Sequence, residues 1–60
     1  MPSLLNRLET FRLERRMSQQ ELARRLGVSF ITVNRWFNGH QNPRKMQRYH
    51  IRKLLKEGGK

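Results

Sequence analysis

Cysteine and aspartate are both absent from the sequence, and four glutamates stand against 14 lysines and arginines. Without cysteine there is neither a disulfide framework nor a cysteine-based zinc site, a composition that fits a reducing cytoplasm. The carboxylates, Glu9, Glu14, Glu21 and Glu57, form no pair suited to acid–base work. Neither an aspartate nor a cysteine nucleophile system can be assembled. His40 and His50 lie far apart without companions, so they make no metal site. His50 is expected at the edge of the core. Gly27 and Gly39 are separate helix stops, not a glycine-rich phosphate loop. These absences exclude an enzyme and leave no cofactor, metal or small-molecule ligand to expect. No apolar run approaches the ~18 residues that cross a bilayer, and the N-terminus lacks the apolar core of a signal peptide. Sixty residues make one domain, and a domain of this size buries only ~60% of its unfolded surface.

What the chain has is positive charge. A formal net charge of +10 calls for a polyanionic partner, which means nucleic acid or an anionic membrane. The stretch Ser18 to Gly39 says more. Ser18 and Glu21 make a capping box, in which the hydroxyl takes a free amide of the first turn and the carboxylate reaches back. Met17 outside the cap and Leu22 inside it form the accompanying hydrophobic staple. Leu22, Ala23 and Leu26 repeat at helical spacing, and Gly27 stands where a helix needs a left-handed residue to stop. Val28 alone separates it from a second cap, Ser29, and Val28 can staple onto Val33. Val33 and Trp36 supply the inward face of the second helix, which Asn38-Gly39 ends. Two capped helices this close cannot lie antiparallel. The short link forces a steep crossing, a helix-turn-helix.

With Val33 and Trp36 inward, Ile31, Asn34, Arg35 and Asn38 point outward, flanked by Phe30 and Thr32. An ordinary surface helix would carry glutamate and lysine here. Amides and a guanidinium offer bidentate pairs to base edges, and apolar groups can meet a thymine methyl. A solvated face with scattered hydrophobes is the plainer alternative; the helix-turn-helix setting favours DNA.

The stretch resembles the Cro/repressor-type (Xre-type) helix-turn-helix family of bacterial and phage regulators. The matching residues are Ser18, Gln19, Glu21, Leu22, Ala23, Leu26-Gly27-Val28-Ser29, Val33, Trp36, Asn38-Gly39 and Pro43. A looser similarity runs from Leu8 to Leu55. The resemblance implies an all-α, lambda-repressor-like domain with the Ser29 helix in the major groove of double-stranded DNA. On that footing the outward residues Phe30, Ile31, Thr32, Asn34 and Arg35 are the ones expected at the bases. The resemblance also sets Gln19 against the phosphate backbone, and Ser29 through its amide, although capping alone accounts for Ser29. The loop and the residues after Pro43 follow the backbone in this family, which adds Asn38, Gln41, Arg44 and Lys45. Arg44 has an adjacent minor groove as a second option, where the potential is most negative. One departure stands out. The family commonly has glutamate where Phe37 stands, paired with an arginine corresponding to Arg12. Without that pair, Arg12 either stacks on Phe37 or Trp36 or meets a phosphate.

Around this centre the pattern predicts four helices, about 3–16, 19–26, 29–38 and 43–57, within a single domain 1–57, and a disordered tail 58–60. Pro2-Ser3 start the first, where Leu4, Leu8 and Phe11 recur with Leu5 beside them and Leu13 lies on the far side. Glu9 finds no base at the i+4 position. Arg15-Arg16 fall in the last turn, as complements to the helix dipole or as phosphate contacts. Arg24 and Arg25 read as solvated charge. Asn42 and Pro43 suit the cap and first turn of the last helix. That helix is expected to bury Met46, His50, Ile51, Leu54 and Leu55, with Tyr49 on one edge. Leu13, Phe37, Tyr49 or Leu55 offer a homodimer contact.

The function expected is sequence-specific DNA binding by a cytoplasmic, nucleoid-associated regulator, with a second copy or a larger protein as additional partner. An accessory, antitoxin-like protein whose main contact is another protein is the alternative, and a cationic membrane-active helical protein a weaker one. RNA is disfavoured because stacking platforms are lacking.

Overall fold

The computed structural model describes residues 3–58. Four helices follow one another: α1 Leu4–Glu14, α2 Gln19–Leu26, α3 Phe30–Phe37 and α4 Lys45–Gly58. Among the described residues there is no strand, and the fold is all-α.

Three helices begin the same way. Ser3, Ser18 and Ser29 sit in extended backbone just outside α1, α2 and α3. Each hydroxyl accepts the amide three residues on: Asn6 at 3.1 Å, Glu21 at 3.0 Å and Thr32 at 3.2 Å. Each bond satisfies one of the amides that a helix start leaves without a partner. The second half of the α2 capping box is not made. Glu21 turns its carboxylate along the helix to Arg24 and Arg25 at 3.3 and 3.4 Å, so those two arginines are paired as well as solvated.

The same three helices also end alike, on a residue with left-handed backbone: Arg16 at φ 52°, Gly27 at 73° and Gly39 at 78°. In each case the next amide reaches five residues back, Met17 to the Arg12 carbonyl, Val28 to Ala23 and His40 to Arg35, at 2.9 to 3.0 Å. This is the Schellman arrangement. It corrects the end of α1. Arg15 and Arg16 are not in the last turn, because the helix closes at Glu14 and the turn takes both arginines. The Arg15 guanidinium lies 4.5 Å from the Phe11 ring centre.

The start of α4 also differs. Asn42 and Pro43 lie outside the helix. The cap falls on Arg44, whose carbonyl takes the Arg48 amide at 2.8 Å, while its own amide donates to Gln47 Oε1 at 2.7 Å. A side chain reaching back from the third helical residue supplies the half of a capping box that α2 lacks. Gly58 still belongs to α4. Pro2 and the last two residues of the expected tail lie outside the described residues.

The core consists of Leu8, Phe11, Met17, Leu22, Ala23, Leu26, Val33, Trp36 and Ile51. Leu8, Leu22, Val33, Trp36 and Ile51 are at most 2% exposed, and full burial of such side chains contributes about 1.5–3 kcal/mol each. Met17 and Leu22 both belong to this cluster, and Val28 packs on it. The buried stripe of α4 is rotated from expectation. Gln47, Ile51, Leu54 and Leu55 face inward, whereas Met46 and His50 are exposed. Ile51 sets this phase, and Gln47, rather than Met46, is the half-buried residue one turn before it. Leu13 is exposed as expected. Helices α3 and α4 both pack chiefly on α1 and α2, which leaves the outer side of each to solvent.

Candidate nucleic-acid interface

Only residues 27–29 separate α2 from α3. The left-handed Gly27 turns the chain and Ser29 starts the next helix at once, so α3 cannot fold back along α2. Val33 and Trp36 fasten its inner side. What remains outside is apolar and basic. Phe30 is 43% and Ile31 62% exposed, and Arg35 is exposed with them. No acidic residue stands in the first turn of α3 or of α4, so nothing offsets the positive end of either helix dipole.

Thr32 and Asn34 are half-buried and already engaged. The Thr32 hydroxyl lies 2.9 Å from Ser29 Oγ. Asn34 Nδ2 donates to Gln19 Oε1 at 3.2 Å, and Asn38 Nδ2 donates to Asn34 Oδ1 at 2.9 Å. An amide chain therefore ties the C-terminal end of α3 through its middle to the first residue of α2. Gln19 uses its acceptor in this chain and keeps its two N–H donors for an outside oxygen. The Ser29 hydroxyl accepts the Thr32 amide and shares a hydrogen bond with the Thr32 hydroxyl, so the first-turn amides of α3 are the main free donors here.

Gln41 is half-buried in the loop after α3, and Arg44 and Lys45 are exposed at the start of α4. Two cations at the positive end of a helix oppose the dipole. An anion bound there would relieve both the cations and the unpaired amides.

Beneath α3 lies an ionic cluster that sequence reasoning left unresolved. The Arg12 guanidinium stands 5.8 Å from the Phe37 ring centre, so the stacked alternative is the one adopted. Its Nη2 pairs with Glu9 at 2.9 Å and its Nη1 donates to the Met17 carbonyl at 3.1 Å. Glu9 does have a basic partner, at i+3 rather than i+4, and that spacing could have disclosed it. Arg12 Nε and Trp36 Nε1 are buried without an acceptor. Of the apolar residues considered for a dimer contact, Leu13 and Tyr49 are exposed, while Phe37 and Leu55 pack on the core.

Two capped helices joined by a three-residue turn, the second held by its inner side alone, define a helix-turn-helix domain. The helix-turn-helix family model matches residues 8–46. The chain belongs to this Cro/repressor-type, Xre-like family of DNA-binding proteins. The matched span runs from Leu8 in α1 through the turn and α3 to Met46 in the first turn of α4. No curated protein and no solved structure matches the chain. Among the described residues no helix is long and apolar enough to cross a membrane.

Proposed function

We propose that the protein is a sequence-specific regulator of prokaryotic or phage type that reads the major groove of double-stranded DNA with α3. The observation that carries this is the outer side of α3, where Phe30, Ile31 and Arg35 stand exposed with no carboxylate among them. Arg35 would take the N7 and O6 acceptors of a guanine, and Ile31 and Phe30 the methyl groups of thymines. Thr32 and Asn34 reach base edges only with the part of their hydrogen-bonding capacity that Ser29, Gln19 and Asn38 leave free. Asn34 acts mainly by fixing α3 against α2.

Gln19, the Ser29 segment, Asn38, Gln41, Arg44 and Lys45 would lie along the phosphates and set the register of α3 in the groove. One such domain covers a half-site. Two copies docked on one face of B-DNA would recognise half-sites about 34 Å apart. A protein partner is the second reading, favoured by Leu13 and Tyr49, which are 59% and 55% exposed away from α3. Light scattering without DNA, with candidate partners titrated in, separates the two.

Selection of bound oligonucleotides from a random duplex pool tests the main reading. Arg35→Ala should weaken binding and relax preference at one base pair by about 1–3 kcal/mol. Arg44→Ala should weaken all sequences alike. An Arg35→Ala protein that loses affinity equally on every sequence would overturn the assignment of α3 to the bases.

A further inference from the structure

Half of the net charge sits on one helix and the residue before it. Arg44, Lys45, Arg48, Arg52, Lys53 and Lys56 face a single carboxylate, Glu57, in that segment, while α3 carries Arg35 alone. Because Ile51 marks the buried side of α4, a turn of about 100° per residue puts Tyr49 near the centre of the opposite side. Arg52 and Lys56 line up past it, with Lys53 beside them. Tyr49, Arg52, Lys53, Lys56 and Glu57 line an open depression of about 490 Å³. Among the described residues the three ion pairs all lie on α1 and α2, so none of these cations is paired. Arg48, Arg52 and Lys56 also follow one another at i, i+4, where like charges repel. The free fold gains nothing from that spacing.

This patch is separate from the reading helix. Lys45 is at the end of α4 nearest α3 in the chain, and Arg52 and Lys56 lie about 10 and 17 Å further along the helix. We infer that the outer face of α4 is a second nucleic-acid surface. It grips the backbone of a second duplex segment while α3 engages the first, so that one chain bridges two stretches of DNA. The inference rests on α3 being the DNA-reading helix.

Charge and shape select this occupant. Over the ~12 Å from Arg48 to Lys56 a duplex presents about seven phosphates. We take this contact to be with phosphates and indifferent to sequence, as a row of cations with no amide side chain among them on one helix face suits a backbone better than a set of base edges. The Tyr49 hydroxyl adds a further donor. An anionic membrane fits less well, because an interfacial helix needs a continuous apolar side, and only Met46 and Tyr49 are large exposed hydrophobics on α4.

The test uses the full chain at 150 mM salt, where a Debye length of about 8 Å isolates the distal cations from α3. A short duplex carrying the selected site is fixed to beads, and a fluorescent duplex of unrelated sequence is added in solution. The wild type should retain the fluorescent duplex. The triple variant Arg52→Gln, Lys53→Gln, Lys56→Gln, at exposed positions only, should keep its helical circular dichroism and its preference for the bead site while retention falls at least tenfold. Site-selective binding by the wild type without retention would overturn the inference alone. Undiminished retention by the triple variant would overturn it too, by assigning the bridge to contact between protein copies. Absence of any site preference in the wild type would bring down the reading of α3, and the bridge with it. Phosphatidylserine vesicles form the last arm, and binding to them in preference to the second duplex would overturn the inference in favour of a membrane.

Discussion

Arg16 shows what a single side chain costs when the backbone asks for glycine. Its φ of 52° is the conformation that Gly27 and Gly39 adopt at the ends of α2 and α3, and for a residue with a Cβ it is unfavourable by about 1–2 kcal/mol. Arg16→Gly removes that strain but frees the unfolded chain. The expected net gain is about 0.5–1 kcal/mol, seen as a rise in Tm of a few degrees. A fall in Tm would mean that the Arg16 side chain holds something that outweighs the strain. Arg12 poses a different residue-scale question. Its pairing with Glu9 does the work that a carboxylate at the Phe37 position does in the resembling family. Glu9 is 41% exposed and Arg12 only 16%, so the pair is partly screened and Glu9→Ala should destabilise by roughly 0.5–1 kcal/mol. Phe37→Glu alone gives up apolar packing. Added to Glu9→Ala it should cost measurably less, because the new carboxylate takes over the guanidinium. A double-mutant cycle by urea denaturation reads this coupling directly, and strict additivity would show that a carboxylate at position 37 does not take over the guanidinium.

At the scale of the element, α2 and α3 were legible because independent signals coincide. A serine cap, an apolar face at helical spacing and a left-handed glycine bracket each of them, and the turn between is too short for any other topology. The end of α1 was hidden because Arg16 stands where glycine would have announced the stop. The start of α4 was misplaced because Asn42-Pro43 resembles a cap, whereas Gln47 bonding back to Arg44 carries no sequence signature as strong. Ile51, Leu54 and Leu55 were read correctly as its inward face, but Met46 and His50 were added to it wrongly because Gln47, which holds the inward position, is polar and Met46 is not. In the candidate site, the exposure of Phe30, Ile31 and Arg35 follows from helical period alone. The Asn34–Gln19 bond does not, since it joins two helices across 15 residues. The imperfect start of α4 carries its own prediction. Arg44→Ser would put a good cap in place of a cation at the positive end of the helix, a gain of about 1 kcal/mol. The same change removes a backbone-contact candidate, so Tm should rise while affinity falls evenly across DNA sequences. Unchanged DNA affinity would remove Arg44 from the interface.

The molecule as a whole sets salt against itself. In a chain of net charge +10, all the lysines and arginines but Lys60 lie within the described residues, which span 29 × 23 × 20 Å, and their mutual repulsion weakens the compact state. At 10 mM salt the Debye length is about 30 Å, so every cation acts on every other. At 150 mM it is about 8 Å, and only near neighbours interact. Three exposed or partly exposed ion pairs on α1 and α2 offer little attraction to lose over the same range. Sodium chloride should therefore raise the Tm of the free protein between these limits. Bound to its site the protein should respond with the opposite sign. If about five phosphates are neutralised, log affinity falls against log salt with a slope of about −4.5, and the Tm increment conferred by DNA shrinks accordingly. Thermal melts of the free chain and of the complex, run side by side across the salt series, should thus converge from below and above. A free chain whose Tm falls with salt would mean that its few ion pairs outweigh its repulsion.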